Sequence, residues 1–263
     1  FHKKYNPALR MNTNEIRTGE YRKVNSRISK LIALLRNPFY RRTLFRYRVA
    51  AAVEHDALLK RLGKDLRTVV DIGANRGQFA LVARFHAPEA RIIAFEPLEE
   101  PAEVFQEMFR LDALMELHRC AVGAHASEAV MHLSKADDSS SLLPITALQT
   151  RVFPGTQERG TRRVTVRPLT DVLLPRQITP PSLLKIDVQG YELQVLEGGV
   201  ALLDCFDYLL VECSYAVFYK DQALAGEVLS YLEKVGFVLI QRCNLIYDQH
   251  GVPLQADFFF QRK

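Results

Sequence analysis

Short apolar runs alternate with helical segments through the middle of this 263-residue chain. The runs at 68–72 and 91–95 are rich in Val, Ile and Ala, and 117–122 is a third candidate strand. Segments 78–85 and 99–111, which separate them, have the apolar spacing of helices. This β-α-β-α-β order predicts a parallel sheet that is covered by helices on both faces.

The alternation is interrupted at 127–167 and then resumes. Two more strands are predicted at 129–133 and 163–167, with a polar loop at 137–141 between them. The later elements are a strand at 183–187, a helix at 191–203, a strand at 208–212, a helix at 223–235, and strands at 237–242 and 258–260. The last connection is too short for a parallel crossover, so the final strand is predicted to be antiparallel. The predicted fold class is therefore α/β, with a doubly wound, Rossmann-like, seven-stranded and mostly parallel sheet.

A helical extension, residues 1–65, is predicted to precede a domain over 66–263. Its first 25 residues lack apolar periodicity and are predicted to be loop. An amphipathic helix at 26–36 is predicted to break at Pro38, and a longer helix at 39–62 to end at Gly63.

Charge is distributed unevenly along the chain. Residues 1–48 hold 13 Lys and Arg against 2 acidic residues, a net +11, whereas the remainder holds 22 against 28, a net −6. A basic segment beside an acidic core indicates contact with an anionic lipid surface or an acidic partner protein, unless it is a solvated helical extension. The four cysteines are scattered and no secretory signal pattern is present, so we expect a cytoplasmic protein, with the basic segment at the inner membrane face.

The turn after the first predicted strand has the features of a nucleoside-cofactor site. Gly73 and Gly77 allow the backbone to approach a ligand at the strand ends. Asn75 in place of a further glycine, and the carboxylate of Asp71, disfavour a pyrophosphate, whereas a carboxylate attracts an ammonium group. Glu96 ends the next strand, where an acid can accept hydrogen bonds from ribose hydroxyls. The alternative is that Asp71 and Glu96 only cap helices.

These features favour S-adenosylmethionine, which carries an ammonium group and a sulfonium and has no phosphate. The predicted cofactor contacts come from the strand ends and from the polar loop: Asp71, Gly73, Ala74, Asn75, Gly77, Gln78, Phe79, Glu96, Pro97, Ala121, Ser140 and Asp187.

A second strand-turn-helix, at 185–192, supplies candidate catalytic groups. Methylation of an alcohol needs in-line alignment of the reacting atoms and removal of a proton. Asp187, Glu192 and Glu212 are the predicted bases, and a divalent cation held by them is a weaker alternative, so no metal ligand is assigned. Lys185, inside a strand, needs a partner, and it either pairs with a neighbour such as Glu212 or has a catalytic role.

Several blocks, in this order, resemble the FkbM family of methyltransferases. They are 71–77 (DIGANRG), 95–97 (FEP), 139–142 (SSSL), 185–192 (KIDVQGYE), 196–199 (LEGG) and 211–212 (VE). The resemblance runs from about residue 66 to the C-terminus. It implies S-adenosylmethionine, O-methylation, and acceptors that are often sugars of glycans or polyketide-derived compounds. The family commonly has Glu where this chain has Gln189, which removes one candidate carboxylate.

The leading functional hypothesis is a sugar O-methyltransferase of glycan biosynthesis, with a sugar or glycan as acceptor. The alternatives are methylation of a polyketide or another small molecule, and a partner-binding pseudoenzyme. A nucleic-acid methyltransferase is disfavoured, because the core is acidic and there is no Asn-Pro-Pro-Tyr loop for a flipped base. No nucleic acid is therefore expected as a partner, and the sequence leaves the oligomeric state open.

Overall fold

The computed structural model describes residues 27–263 and contains the predicted seven-stranded sheet. Its strands are β1 (Thr68–Ile72), β2 (Arg91–Phe95), β3 (Met115–His118), β7 (Ser182–Ile186), β8 (Tyr208–Ser214), β9 (Phe237–Tyr247) and β10 (Pro253–Arg262). They lie in the order β3-β2-β1-β7-β8-β10-β9. The pairs from β3 to β8 are parallel, and β10 is antiparallel to both of its neighbours. The predicted fold class is confirmed, including the antiparallel last strand.

Helices cover both faces of this sheet. They are α4 (Gln78–His86), α5 (Glu99–Phe109), α7 (Glu192–Gly198), α8 (Val200–Leu203) and α9 (Ala225–Lys234). All five residues of β1 are buried, and successive side chains enter different cores. Val69 packs with residues of α4 and α5, whereas Val70 packs with residues of α7 and α9. This two-sided burial explains the nearly continuous apolar runs in the sequence.

The predicted third strand, 117–122, is wrong as one element. The chain pairs with β2 only as far as His118, opposite Phe95 at the end of β2. It then enters a second sheet as β4 (Ala121–Val122), which pairs with β6 (Glu158–Arg167), and β6 also pairs with β5 (Ser127–Ser134). The predicted strands 129–133 and 163–167 lie within β5 and β6. A short helix, α6 (Ala147–Val152), separates these two strands.

Between residue 27 and β1 the chain forms three α-helices instead of the two that were predicted for this part. Helix α1 (Arg27–Arg36) agrees with the prediction, and α2 (Pro38–Tyr47) begins where the Asn37 side chain accepts a hydrogen bond from Phe39 N at 2.9 Å. The predicted loop over 1–25 lies outside the described residues. Contacts of the basic segment with lipid or protein stay a prediction.

The predicted helix 39–62 is wrong as one element, because its central part leaves the helical conformation. Arg48 is left-handed, with φ of 57°, and helix α3 (Asp56–Leu62) begins only after a 3-10 turn at Val53–His55. Val49 and Ala51 are buried, and Ala52 N donates to Gln78 O at 3.0 Å. Tertiary packing therefore draws this segment, residues 48–52, across α4 and overrides its helical periodicity.

Gly63 follows α3 as predicted, but it is right-handed, with φ of −56°. A Cβ at this position would lie 2.5 Å from His86 O, so glycine is needed for close packing. None of the helices between residues 27 and 263 is long and apolar enough to cross a membrane.

Candidate active site

A cavity of about 620 Å³ opens at the carboxyl ends of β1, β2 and β7. This volume is in the usual range for sites that bind small molecules. Of the predicted cofactor contacts, Gly73, Ala74, Asn75, Gln78, Phe79, Glu96, Pro97, Ala121, Ser140 and Asp187 line it. Asp71 and Gly77 do not.

The turn after β1 touches the turn after β7. Gly73 has φ of 79°, and a Cβ there would lie 1.8 Å from Asp187 O. Gly73 N also donates to Phe95 O at 3.1 Å, so the ends of β1, β2 and β7 meet at this residue. Gly77, with φ of 91°, begins α4 behind the cavity wall, where a Cβ would lie 2.9 Å from Phe105. The two glycines therefore shape the turn, and only Gly73 faces the cavity.

Lys185 is paired with Asp71, not with Glu212, so that predicted pairing is wrong. Asp71 and Lys185 are opposite each other in the β1–β7 register, and Lys185 Nζ lies 3.1 Å from Asp71 Oδ1. Nζ also donates to Gly73 O at 3.0 Å and lies 3.5 Å from Asp187 Oδ2. Burial alone would lower the pKa of Lys185, but the charges of Asp71 and Asp187 outweigh it and raise the pKa. Asp71 is fully buried, so it acts on the turn through Lys185.

Glu96 joins the turn after β1 to the chain after β2. Its Oε2 accepts from Asn75 N at 2.9 Å and its Oε1 accepts from Leu98 N at 2.8 Å. Burial raises the pKa of Glu96 to about 7, although both backbone bonds favour the ionised form. The bond to Leu98, the residue before α5, is the capping role considered as an alternative. Glu96 also lines the cavity, so one carboxylate can serve both roles.

Beyond Glu96 the cavity wall is apolar. It consists of Phe95, Leu98, Cys120, Ala121, Val122, Met131 and Leu142. Most of these residues come from the second sheet and its connections, and sequence reasoning found only Ala121 among them. An apolar wall beside a single carboxylate suits a flat aromatic ring attached to a hydroxyl-bearing sugar.

The polar loop at 137–141 is fastened to both turns. Arg76 Nη2 lies 2.5 Å from Asp137 Oδ2, which links the loop to the turn after β1. Ser141 Oγ donates to Gln189 O at 2.7 Å, which links it to the turn after β7. Asp138 and Ser140 line the cavity between these attachments. The loop therefore borders the crevice, and Ser140, its predicted cofactor contact, lies in the cavity wall.

Of the three predicted bases, only Asp187 lines the cavity. Its Oδ1 accepts from Gln189 Nε2 at 2.7 Å, and the same nitrogen donates to Glu212 Oε2 at 2.9 Å. Tyr219 Oη donates to Gln189 Oε1 at 2.7 Å. Glu212 therefore lies behind the Gln189 amide, and burial raises its pKa well above the usual range.

Glu192 lies beneath the turn after β7, with 3% of its surface exposed. Its Oε1 accepts from Gly190 N at 2.9 Å and from Val188 N at 3.3 Å. Burial raises its pKa from 4.5 to about 7. This carboxyl group holds the turn in place.

We expect Glu192→Gln to flatten the pH dependence of stability. Because folding raises the pKa of Glu192, its contribution to stability is complete below pH 4.5 and is lost as the pH rises to about 7. Glutamine keeps the accepting Oε1 and cannot ionise. The urea midpoints of the native protein and the variant, at pH 5 and pH 8, measure the effect. Glu197→Gln, on the exposed face of α7, is the control. If the urea midpoint changes equally between pH 5 and pH 8 in the native protein and in Glu192→Gln, this account is contradicted.

The N-terminal segment supplies part of the cavity wall, which sequence reasoning did not find. The residues are Lys30, Leu31, Leu34, Leu44, Ala50, Ala51, Ala52, Glu54 and His55. Lys30 Nζ lies 3.2 Å from Glu54 Oε1 at this side of the cavity. Nothing in the local pattern separates these residues from ordinary helix-packing positions. Between residues 27 and 263, no group of three or more His, Cys, Asp or Glu side chains is arranged to hold a metal ion.

The strand order, the glycine turn after β1 and the acid after β2 together define a nucleoside-cofactor methyltransferase fold. A sequence model of the methyltransferase FkbM domain matches residues 71–239, well over half of the chain. This chain belongs to the FkbM methyltransferase family.

Individual relatives share fewer than 30% of the aligned residues with this chain. Methyltransferase sdnD of Sordaria araneosa is 29% identical over 194 residues, which cover 64% of this chain and 73% of the relative. The 31-O-demethyl-FK506 methyltransferase FkbM of Streptomyces tacrolimicus is 28% identical over 211 residues, covering 70% and 79%. Methyltransferase 1 of Beauveria bassiana is 29% identical over 143 residues, covering 49% of this chain and only 57% of that relative.

Similarity to solved structures is found at a lower sequence identity. Methyltransferase FkbM from Methylobacillus flagellatus superimposes with a TM-score of 0.46 and 16% identity. The match covers 74% of this chain and 44% of that one.

Proposed function

We propose that this chain transfers a methyl group from S-adenosylmethionine to a hydroxyl oxygen, and that the hydroxyl belongs to a sugar of a glycan or glycoconjugate. The observation that carries the proposal is the meeting of Gly73 and Asp187, which puts a cofactor turn and an accepting carboxylate in one cavity. Lys30, Glu54, His55 and Gln189 add polar groups to the same wall. Several hydrogen-bonding side chains in one site suit an acceptor with several hydroxyls.

The residues present fit the cofactor. Glu96 would accept hydrogen bonds from the ribose hydroxyls of the cofactor, and the apolar wall that includes Phe95 and Met131 would cover its adenine ring. The backbone at Gly73 and Ala74 would hold its amino-acid part. When bound, S-adenosylmethionine supplies a methyl group on a positively charged sulfur, which is already a strong electrophile. The protein is left to align the acceptor and to take a proton from it.

Asp187 is placed to align the acceptor. Gln189 Nε2 and Lys185 Nζ fix its two oxygens, so the carboxylate has one orientation toward the cavity. A remaining lone pair of Asp187 would accept a hydrogen bond from a hydroxyl of the acceptor.

We expect Glu96→Ala to weaken binding of S-adenosylhomocysteine. Hydrogen bonds to a charged group contribute about 1.5–3 kcal/mol, so the dissociation constant should rise roughly 10- to 150-fold. Calorimetry measures this change directly. The matched control is Glu99→Ala, which changes an exposed glutamate two positions after Pro97. Unchanged affinity in Glu96→Ala would rule out the ribose contact.

We expect Asp187→Asn to keep cofactor binding within a few-fold while turnover falls about 10- to 100-fold, because the amide cannot replace a charged acceptor. The assay is transfer of labelled methyl groups to a panel of nucleotide sugars and glycan oligomers, with and without a chelator. Full turnover in the variant would exclude the proposed alignment. Loss of activity with chelator, and recovery with Mg²⁺, would establish a divalent cation in the reaction.

A natural-product alcohol is the second candidate acceptor, favoured by the apolar part of the N-terminal wall. Leu31, Leu34 and Leu44 line the cavity there, and an apolar ring system would bury against them. The same assay decides between the classes when it includes macrolide and terpenoid alcohols.

A further inference from the structure

A histidine from the N-terminal segment reaches the cavity. His55 ends the 3-10 turn Val53–His55 and lines the cavity with its side chain 11% exposed. Its ring packs edge-on against Phe79, with centroids 5.3 Å apart. The hydrogen bond from Ala52 N to Gln78 O, 3.0 Å long, fixes the preceding residues on α4. His55 therefore has a defined position in the wall.

The two ring nitrogens of His55 have different surroundings. Nδ1 is sealed from solvent and makes no hydrogen bond. The carboxylate oxygen Asp257 Oδ2 lies 3.8 Å from it. Asp257 Oδ2 is itself held by Asn244 Nδ2 at 2.6 Å. Because the Nδ1 edge faces β10, the accessible edge of the ring carries Nε2 toward the cavity. At 3.8 Å the Asp257 carboxylate is a nearby charge and not a hydrogen-bond partner of the imidazole, and a negative charge at this distance stabilises the protonated ring.

His55 lies at the same end of the cavity as Asp187. Lys185 Nζ is 5.6 Å from the centroid of the Phe79 ring that His55 contacts. The same Nζ is 3.5 Å from Asp187 Oδ2. Phe79 is therefore a common neighbour of the imidazole and of the paired charges at the tip of β7.

The carboxylates at this end are already occupied. Asp187 is bonded by Gln189 and paired with Lys185, while Glu212 lies behind Gln189 and Glu192 beneath the turn. Both oxygens of Asp187 thus have donors already, and neither Glu192 nor Glu212 lines the cavity. Asp138, on the polar loop, also lines the cavity and is the remaining competitor.

We propose that His55 is the catalytic base of the reaction and that Asp257 acts through it, its charge stabilising the imidazolium that forms when His55 takes the proton. The inference rests on the proposed O-methyl transfer. The acceptor hydroxyl gives its proton to Nε2, and its oxygen forms the new bond to the methyl carbon. The carbon–sulfur bond breaks with its electron pair on sulfur, so the sulfonium becomes a neutral thioether. Asp187 accepts a hydrogen bond from a neighbouring hydroxyl of the acceptor, so the reacting hydroxyl is free to donate to Nε2. The base comes from outside the segment that matches the family.

The first test is His55→Gln in the full chain, assayed with the acceptor that the methyl-transfer panel identifies. A positioned base typically contributes about 10²–10⁴-fold, so kcat should fall by that factor while calorimetric binding of S-adenosylhomocysteine stays within two-fold of the native value. His125→Gln, on an exposed position, is the control. Free imidazole should partly restore His55→Ala, which it would not do for a residue that only packs. Asp257→Asn should lower kcat about ten-fold with little change in KM.

Carbethoxylation of the native protein, mapped by mass spectrometry, gives a readout that does not depend on turnover. His55 should be modified at Nε2 faster than His86, whose Nε2 lies 2.8 Å from Asp56, and the acceptor should slow it. If His55→Gln fails to fold, the native protein gives the same test. Turnover should be lost when His55 is carbethoxylated, and it should recover when hydroxylamine removes the adduct. Native kcat in a folded His55→Gln, or a larger loss in Asp138→Asn, overturns the inference. Absence of cofactor binding in the native chain would instead overturn the proposed function.

Discussion

Replacing Lys185 with methionine is expected to lower the free energy of unfolding by about 3–5 kcal/mol, the usual cost of removing one partner of a buried ion pair. The variant leaves Asp71 fully buried with no cation beside it. It also removes the donor to Gly73 O, which helps to hold the turn after β1. Denaturant unfolding measures the loss, and methyl-transfer activity should fall with it because the same nitrogen pairs with Asp187.

Two variants make this test specific to the buried pair. Lys135→Met changes an exposed lysine and should shift the unfolding midpoint very little. Asp71→Leu combined with Lys185→Met removes both charges, and it should recover much of the stability because no unpaired charge remains. A loss below about 1 kcal/mol in the single variant would show that water or a shifted side chain compensates Asp71.

Gly73→Ala should be similarly disruptive, and its effect should be greater on the cofactor site. A Cβ at this position would lie 1.8 Å from a backbone oxygen, that of Asp187, which cannot rotate away. A left-handed non-glycine residue costs about 1–2 kcal/mol, and overpacking typically adds about 1–3 kcal/mol. The turns after β1 and β7 must therefore separate, and we expect binding of S-adenosylhomocysteine to weaken at least 30-fold.

Gly155→Ala is the matched control for this substitution. Gly155 has a similar φ of 95°, but a Cβ there meets no atom within 4 Å. It should therefore cost about 1 kcal/mol of stability, from the backbone conformation alone, and leave cofactor affinity unchanged. If the two alanine variants bind the cofactor equally well, the close approach of the two turns is unimportant for the site.

Local chemistry made part of the site predictable. Gly73 and Glu96 act through their own turn and strand end, so their spacing in the sequence carried the information. The partner of Lys185 depends instead on the β1–β7 register, which brings together residues from distant segments. Sequence reasoning chose Glu212 because it ends a neighbouring strand, but only the register shows that Asp71 lies directly opposite.

Tertiary packing explains the part that sequence reasoning missed. The apolar spacing of Val49 and Ala51 is that of a helix, and only burial against α4 shows why the chain unwinds there. His55 reaches the cavity as a result of that unwinding. Glu192 and Asp187 were both predicted as bases, yet the turn between them directs Asp187 into the cavity and Glu192 beneath it.

The position of β10 between β8 and β9 has a consequence for how the protein is made. Among the strands that the structure describes, β9 pairs only with β10, and β10 also covers one edge of β8. Until β10 has been synthesised, both strands therefore present unpaired backbone groups, of the kind that promote association between chains. Asp257 arrives in the same late segment as three buried phenylalanines, Phe258, Phe259 and Phe260. The sheet is thus completed only when β10 inserts between two strands that precede it in the chain.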